Sequence, residues 1–293
     1  MQTVTQPHQD LRTWITAVVQ AFCAGPENSL HDATNERAWD EPLIGFSTGD
    51  DPLYELYKTV VGPFHWTPCE IFRATFPDTT VQPADLTVVS WVLPQTAATR
   101  ADNRRQSLYP AERWARSRIY GEQFNERLRQ HLAATLNASG YPAVAPFLSP
   151  QWQRRDSERF GYASTWSERH AAHACGLGTF GLCDGLITPK GKAVRVGSVV
   201  VQLQVLPTAR PYRDHRAYCL FFSQGACTAC IDRCPAGAIS EAGHDKALCR
   251  QHLQATEAYV QTSYGFEGYG CGLCQTGVPC ESGVPTVAGP TRT

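Results

Sequence analysis

Eight of the twelve cysteines lie between residues 219 and 280, in two runs that share a ligand spacing. The first run is Cys219 and then Cys227-Thr-Ala-Cys230-Ile-Asp-Arg-Cys234-Pro235, and the second is Cys249, Cys271-Gly-Leu-Cys274 and Cys280. The Cys-x2-Cys-x3-Cys-Pro order is typical of iron–sulfur proteins, and eight cysteines are what two four-iron clusters need. The pattern therefore predicts two [4Fe-4S] clusters.

Disulfides and structural zinc are the alternatives. A disulfide scaffold suits a short secreted chain, whereas this one has 293 residues and residues 1–25 do not form a signal peptide. Two Cys-x2-Cys pairs are also common zinc ligands. However, the gap from Cys230 to Cys271 is long for a zinc ribbon, and zinc would leave Cys234, Cys249 and Cys280 unused.

The spacing also divides the ligands between the two clusters. In two-cluster ferredoxins the cysteine before proline ligates the other cluster, so the second cluster would take Cys234, Cys249, Cys271 and Cys274. The first would take Cys219, Cys227, Cys230 and Cys280. Cys219 is assigned because Gln224 occupies the usual position of the fourth ligand. Without Cys219 the first cluster has an open or non-cysteine corner, at which substrate could bind.

Charge and composition narrow the function further. The net charge of −1 and the pI near 6.7 argue against broad electrostatic binding to nucleic acid or to a membrane surface. No apolar run approaches the roughly 20 residues that span a bilayer. Reducible clusters, free thiols and no export signal predict a cytoplasmic protein.

Hydrophobic periodicity predicts an α+β chain, with an α/β body over residues 1–215, a double-cluster module over 216–283 and a tail over 284–293. Apolar residues from Leu11 to Phe22 recur at helical spacing, which predicts a helix that ends near Gly25. Asp51-Pro52 begins a second helix, and residues 27–51 between them are polar and turn-rich. Leu86 to Leu93 predicts a buried strand, and Ala193 to Leu206 a second strand region. The segment from Pro110 to Ser139 predicts a long helix with Phe124, Leu128, Leu132 and Leu136 on its inner face.

Gly176, Gly178 and Gly181 spell G-x-G-x-x-G, which resembles a dinucleotide-binding fingerprint. That fingerprint needs a strand before it, a helix after it and an acidic residue about 20 positions on. Here a predicted helix precedes it, residues 182–188 are predicted to be extended, and position 201 is valine. The glycines instead allow close approach of a flat ligand, or form a tight helix–loop turn.

The order of these motifs resembles the epoxyqueuosine reductases and the related reductive dehalogenases. It consists of Glu168-Arg-x-Ala, Gly-Leu-Gly-x-x-Gly, the Gly197-Ser198 strand and the cysteine runs, and the resemblance covers roughly residues 80–282. It implies a nitroreductase-like body that holds cobalamin, a bacterial ferredoxin-like module, and electron transfer to the corrinoid from two clusters. It also implies a corrinoid pocket lined by Gly176, Gly178, Thr179, Phe180, Gly197 and Ser198.

The proton donor departs from this family pattern. Epoxyqueuosine reductases have an acidic donor about six residues before the Glu-Arg pair, but that position is Tyr162 here, and the nearest upstream carboxylates are Glu158 and Asp156. A tyrosine donor resembles the dehalogenases. A phenol can donate if a cation lies beside it, and Arg159 and Arg169 are candidates for that cation.

Three hypotheses follow. The chain is a cobalamin-dependent iron–sulfur reductase, a cobalamin-independent one, or an electron-transfer partner without catalysis of its own. The reductases would act on a small molecule or a modified nucleoside and take electrons from a ferredoxin or flavodoxin.

Two minor features of the sequence have simpler interpretations. His170, His173 and Cys175 lack an evident fourth metal ligand, and Cys23, Cys69 and Cys183 are predicted to be ordinary buried thiols.

Overall fold

The computed structural model describes residues 6–286. Its helices, in chain order, are α1 (Gln6–Ala24), α2 (Pro52–Val61), α3 (Pro68–Thr75), α4 (Ala97–Arg104), α5 (Glu112–Ala138), α6 (Glu168–Ala174), α7 (Leu220–Gln224), α8 (Ala229–Asp232) and α9 (Lys246–Tyr264). Its strands are β1 (Leu43–Thr48), β2 (Leu86–Pro94), β3 (Ala143–Val144), β4 (Arg154–Ser157), β5 (Gly161–Ser164), β6 (Thr179–Phe180), β7 (Leu186–Ile187), β8 (Val194–Gln202), β9 (Ile239–Ser240) and β10 (Gly243–His244). Helices and strands thus share the chain, as the α+β prediction requires.

A four-stranded antiparallel sheet organises the first two thirds of the chain, in the order β1-β2-β8-β3. Every residue of β2 is buried, which confirms the strand predicted from Leu86 to Leu93. The β2–β8 register sets Ser90 opposite Ser198 and Trp91 opposite Gly197. A central strand covered on both faces is apolar along most of its length, and this is why β2 is recognisable from its sequence.

Helices α1 and α5 cover one face of the sheet. The predicted inner face of the long helix is confirmed, because Phe124, Leu128, Leu132 and Leu136 are all fully buried. They pack with Ile15 and with other residues of α1 and the sheet. Helices α2, α3 and α6 lie on the opposite face. The Asp51 side chain accepts a hydrogen bond from the Leu53 amide and caps α2, as predicted.

The cysteine-rich segment packs against α4 and α5. Asn103 donates to the Cys271 carbonyl at 3.1 Å, and the Arg104 guanidinium is paired with Glu281, which is 4% exposed. A Cβ on Gly272 would lie 1.9 Å from the Trp114 ring, so glycine is required where this loop crosses α5.

The structure corrects two expectations. Residues 27–51 were expected to be polar and turn-rich, yet they contain β1, which pairs with β2 along its full length. Helix α9, which crosses the cysteine-rich segment, was not predicted. Of the predicted tail, residues 287–293 lie outside the described part of the chain. Within residues 6–286, no helix has the length and apolar character needed to cross a membrane.

Candidate iron–sulfur site

The four cysteines predicted to hold the first cluster border one cavity. Cys219, Cys227, Cys230 and Cys280 line it together with apolar side chains, among them Leu182, Ile187 and Val278. Cys219, Cys230 and Cys280 are each less than 10% exposed. Three separate segments of the chain thus bring these four cysteines to one apolar place.

Local structure explains this convergence. Cys219 is the N-cap residue of α7, and Cys230 lies within α8, so each short helix turns one thiol inward. The loop with Cys280 is fixed from the body, because the Lys192 amide donates to the Cys280 carbonyl at 2.8 Å. Cys219 lies outside the regular cysteine run in the sequence, but the fold places it at the same cavity as the other three cysteines.

The cysteines of the second predicted set are electrostatic neighbours. Burial, together with the nearby Cys249 and Cys234 thiols, raises the pKa of the Cys271 thiol to about 11. The Ala238 amide donates to Cys234 Sγ at 3.3 Å. Amide hydrogen bonds of this kind stabilise a thiolate and are among the interactions that tune iron–sulfur potentials.

Two residues that the sequence analysis did not assign to the cluster sites lie among these cysteines: Lys192, and Cys183, which was predicted to be an ordinary buried thiol. The Cys183 thiol is an electrostatic neighbour of the Cys230 and Cys274 thiols, one predicted ligand of each cluster. Lys192 Nζ lies 3.4 Å from Cys183 Sγ. Burial opposes the charge of Lys192, but the sulfurs of Cys183 and Cys280 raise the pKa of its ammonium above the ordinary value. No spacing rule could have identified this pair, because the fold alone brings it to the cysteines.

Four thiols around a cavity suit a cofactor with several corners. A single zinc ion instead draws four ligands to within about 2.3 Å of one point. Within residues 6–286, no group of three or more histidine, cysteine, aspartate or glutamate side chains is arranged to hold a metal ion. The donor set and the buried cation beside it both fit an anionic thiolate-ligated cluster.

The residues predicted to line a corrinoid pocket contact the chain itself. A Cβ on Gly178 would lie 2.3 Å from the Ile187 carbonyl oxygen, and one on Gly197 would lie 2.5 Å from the Trp91 ring. Gly176 faces the Ala209 carbonyl in the same way. These glycines therefore permit close packing between segments of the protein.

The other three predicted corrinoid contacts are also engaged by protein groups. Thr179 and Ser198 are fully buried. Thr179 Oγ1 accepts from the Tyr218 amide, and Ser198 bonds with Glu168. Phe180 packs against the rings of His170 and His173. In this conformation the six residues do not fit a corrinoid.

Tyr162 lies on β5, in a hairpin that packs against α9. Its hydroxyl is buried and has no hydrogen-bond partner among the described residues. The cations beside its ring are Arg154 at 5.0 Å and Arg250 at 5.3 Å. The cations expected from the sequence have other partners: Arg159 lies over Phe160, and Arg169 donates to the Asp184 carbonyl.

The hairpin also brings a carboxylate to Tyr162. Asp156 on β4 is its direct cross-strand partner. Directly opposed residues of an antiparallel pair share a face, with Cβ atoms about 5 Å apart. The hairpin therefore places a carboxylate residue directly across the strand pair from Tyr162.

A group of imidazoles and aromatic rings lies between α2 and α6. His65 is 1% exposed, and neither of its ring nitrogens has a hydrogen-bond partner among the described residues. Its ring lies near those of Tyr57, His170 and Trp166, with centroids 5.5–6.4 Å apart. Burial lowers the pKa of His65 to about 4. Cys175 is not part of this group, since its thiol contacts the Val88 carbonyl.

Known proteins resemble this chain in sequence and in fold. Over 124 residues it is 32% identical to an epoxyqueuosine reductase of Bacillus cereus, and the match spans 40% of this chain and 30% of that protein. The chain is therefore similar in sequence to the epoxyqueuosine reductases over part of its length. A crystal structure of an epoxyqueuosine reductase with an epoxyqueuosine-modified tRNA-Tyr stem loop has the same fold, with a TM-score of 0.50 and 19% identity, covering 96% of this chain and 68% of that one.

The similarity is partial. The matched segment is less than a third of the Bacillus cereus relative, and no family model matches the chain. A catabolic reductive dehalogenase aligns with a TM-score of 0.47 and 13% identity, over 83% of this chain and 30% of that one.

Proposed function

We propose that this chain is an iron–sulfur reductase. Residues 216–283 would carry two [4Fe-4S] clusters in a ferredoxin-like arrangement, and residues 1–215 would hold the substrate. The convergence of Cys219, Cys227, Cys230 and Cys280 on one apolar cavity carries this proposal. The partial similarity to epoxyqueuosine reductases supports reductive chemistry. An external ferredoxin or flavodoxin in the cytoplasm would supply the electrons.

The clusters would supply one-electron transfer when bound, and the chain would control their surroundings. Cys219, Cys227, Cys230 and Cys280 would hold one, and Cys234, Cys249, Cys271 and Cys274 the other. Leu182, Ile187 and Val278 line the first site and would keep water away from a bound cluster. Since oxygen and water degrade exposed clusters, an enclosed apolar wall favours repeated turnover.

Protonation of the reduced substrate would fall to the β4–β5 hairpin. Tyr162 and Asp156 are the candidate donors, because they are cross-strand partners and Tyr162 has an unpartnered hydroxyl. The guanidiniums of Arg154 and Arg250 favour the phenolate that remains after the proton leaves. Arg250 directly follows Cys249, so this hairpin packs on the helix that carries a predicted ligand of the second cluster.

The metal content tests the central claim. Protein purified without oxygen should contain about eight iron atoms and eight sulfides per chain. Cys227→Ser should lose roughly half of the iron, whereas the matched control Cys69→Ser, which alters a buried thiol in α3, should lose none. Stoichiometric zinc in place of iron would refute the proposal.

A second assay addresses the substrate. The solved neighbour was crystallised with an epoxyqueuosine-modified tRNA stem loop, so we propose a modified nucleoside as the first substrate class to test. Reduced ferredoxin is supplied with epoxyqueuosine as the free nucleoside and within a stem loop. Tyr162→Phe and Asp156→Asn are compared, and loss of a general acid should lower kcat by 10²-fold or more. If neither variant lowers kcat, the hairpin is not the proton donor.

A corrinoid-dependent reductase is the second candidate, and the family resemblance favours it. Because Gly176, Gly178 and Gly197 pack against the chain itself, the proposed reductase does not depend on cobalamin. Equilibrium dialysis of the iron-loaded protein against cobalamin tests this choice. Stoichiometric binding would show that the body opens to admit a corrinoid and would favour the second candidate.

A further inference from the structure

Lys192 is a buried cation surrounded by sulfur. It is 2% exposed, and no ion pair within residues 6–286 joins it to a carboxylate. Its electrostatic neighbours are the thiols of Cys183, Cys280, Cys274 and Cys230. A buried ammonium costs several kcal/mol unless negative charge offsets it. The protein therefore holds a fixed positive charge at a place where only sulfur, or a centre bound to sulfur, can balance it.

The position of this charge is closely defined. The Lys192 amide donates to the Cys280 carbonyl at 2.8 Å, which ties its backbone to a predicted ligand. A Cβ on Gly185 would lie 3.0 Å from Cγ and Cδ of Lys192, so the lysine stem uses the space that glycine leaves. Lys192 also lines the cavity bordered by the first set of cysteines. The stem is thus directed from a fixed backbone into the sulfur-rich interior.

A charge in this place acts on electron affinity. Reduction adds one electron, and so one negative charge, to a thiolate-ligated centre without breaking a bond. A nearby cation stabilises the reduced form more than the oxidised form, and net charge is one of the determinants of cluster potential. The low dielectric of a buried site strengthens the effect compared with a surface lysine.

We propose that Lys192 is a positioning residue that raises the reduction potential of the cluster held by Cys219, Cys227, Cys230 and Cys280. This inference rests on the proposed iron–sulfur function. Lys192 makes this site the preferred acceptor for an electron from the external donor of the ferredoxin or flavodoxin class. Lys192 acts through its positive charge and not through the space that its stem fills.

The test is a redox titration of the iron-loaded protein followed by electron paramagnetic resonance. Lys192→Met keeps the length of the stem and removes the charge. It should lower the equilibrium constant for reduction of one cluster at least tenfold, which is about 59 mV for one electron. Lys190→Met is the control, because Lys190 lies two residues before Lys192 and carries the same charge at an exposed position. It should change that constant less than twofold. Lys192→Arg should stay closer to the native value than Lys192→Met does.

Each outcome decides the question. Unchanged potentials in a fully iron-loaded Lys192→Met protein would overturn the inference while leaving the reductase proposal intact. Loss of iron from both Lys192→Met and Lys192→Gln would also overturn it, since the lysine would then serve assembly. Native protein without iron would refute the proposed function itself.

Discussion

Replacing Arg129 by methionine tests the charge network beneath β8. Arg129 is 1% exposed, and its guanidinium bonds Glu168 at 3.0 Å, Glu122 at 3.1 Å and the Val196 carbonyl at 3.0 Å. Methionine preserves much of the apolar stem but leaves Glu168 without its cation, whereas Glu122 keeps its ion pair with Arg195 at 2.7 Å. Breaking a buried pair from one side costs about 3–5 kcal/mol, which is a large part of the 5–15 kcal/mol that typically stabilises a domain.

Urea unfolding of iron-loaded protein without oxygen measures this loss. Arg127→Met is the matched control, because Arg127 lies on the same helix and pairs with Glu27 at an exposed position. Exposed pairs contribute at most about 1 kcal/mol, so the control should remain near the native stability. Adding Glu168→Gln to Arg129→Met should recover part of the loss, since one uncompensated carboxylate is removed.

The pH dependence gives an independent check on Arg129. Burial raises the pKa of Glu168, and loss of Arg129 should raise it further. A carboxyl whose folded pKa is raised contributes stability at low pH and loses it as pH rises through that pKa. The loss in free energy of unfolding caused by Arg129→Met should therefore be smaller at pH 5.5 than at pH 7.5. The reasoning is wrong if Arg129→Met loses no more stability than Arg127→Met, or if Glu168→Gln deepens its loss.

Three further predictions concern single side chains. Burial lowers the pKa of His65 from 6.5 to about 4, so its stabilising contribution is complete above pH 6.5 and is lost as pH falls toward 4. When the pH is lowered from 7.5 to 5.5, the free energy of unfolding of His65→Leu in urea should consequently fall by about 1.4 kcal/mol less than that of the native protein. Equal decreases would contradict this. Cys183→Ser should keep its iron, because Cys183 does not line the cavity, whereas Cys230→Ser should lose about half; an iron assay that finds both depleted would make Cys183 a ligand. Gly197→Ala should lower the melting temperature, since its Cβ would lie 2.5 Å from the Trp91 ring, and an unchanged melting temperature would mean that the ring moves aside easily.

Parts of the fold were predictable because local pattern and burial coincide. Phe124 and Leu128 repeat at helical spacing on a face that is fully buried. The apolar run of β2 is central in its sheet, so every one of its residues is covered. The two cysteine runs predict clusters from local sequence in the same way, since several ligands of one cluster often share a short, regular spacing; that prediction is still to be tested.

The remaining features depend on contacts between distant residues. Strand β1 includes Ser47 and Thr48, and its partner β2 decides its structure more than its own composition does. Gly197 suggested space for a ligand, but the register with Trp91 fills that space. Asp156 is the cross-strand partner of Tyr162 only because residues 158–160 form a turn. None of these pairs has a spacing signature in the sequence.

The attachment of the final cysteine loop has a consequence for biosynthesis. Cys280 and Glu281 are translated late, whereas Arg104 and Lys192, which hold that loop, leave the ribosome much earlier. The earlier segments can fold first, so that the residues that bind this loop are already in place when it is synthesised. If the proposed clusters are bound, their insertion would be one of the last steps of maturation. A nascent chain that stops short of residue 280 would then lack one of the proposed sulfur ligands.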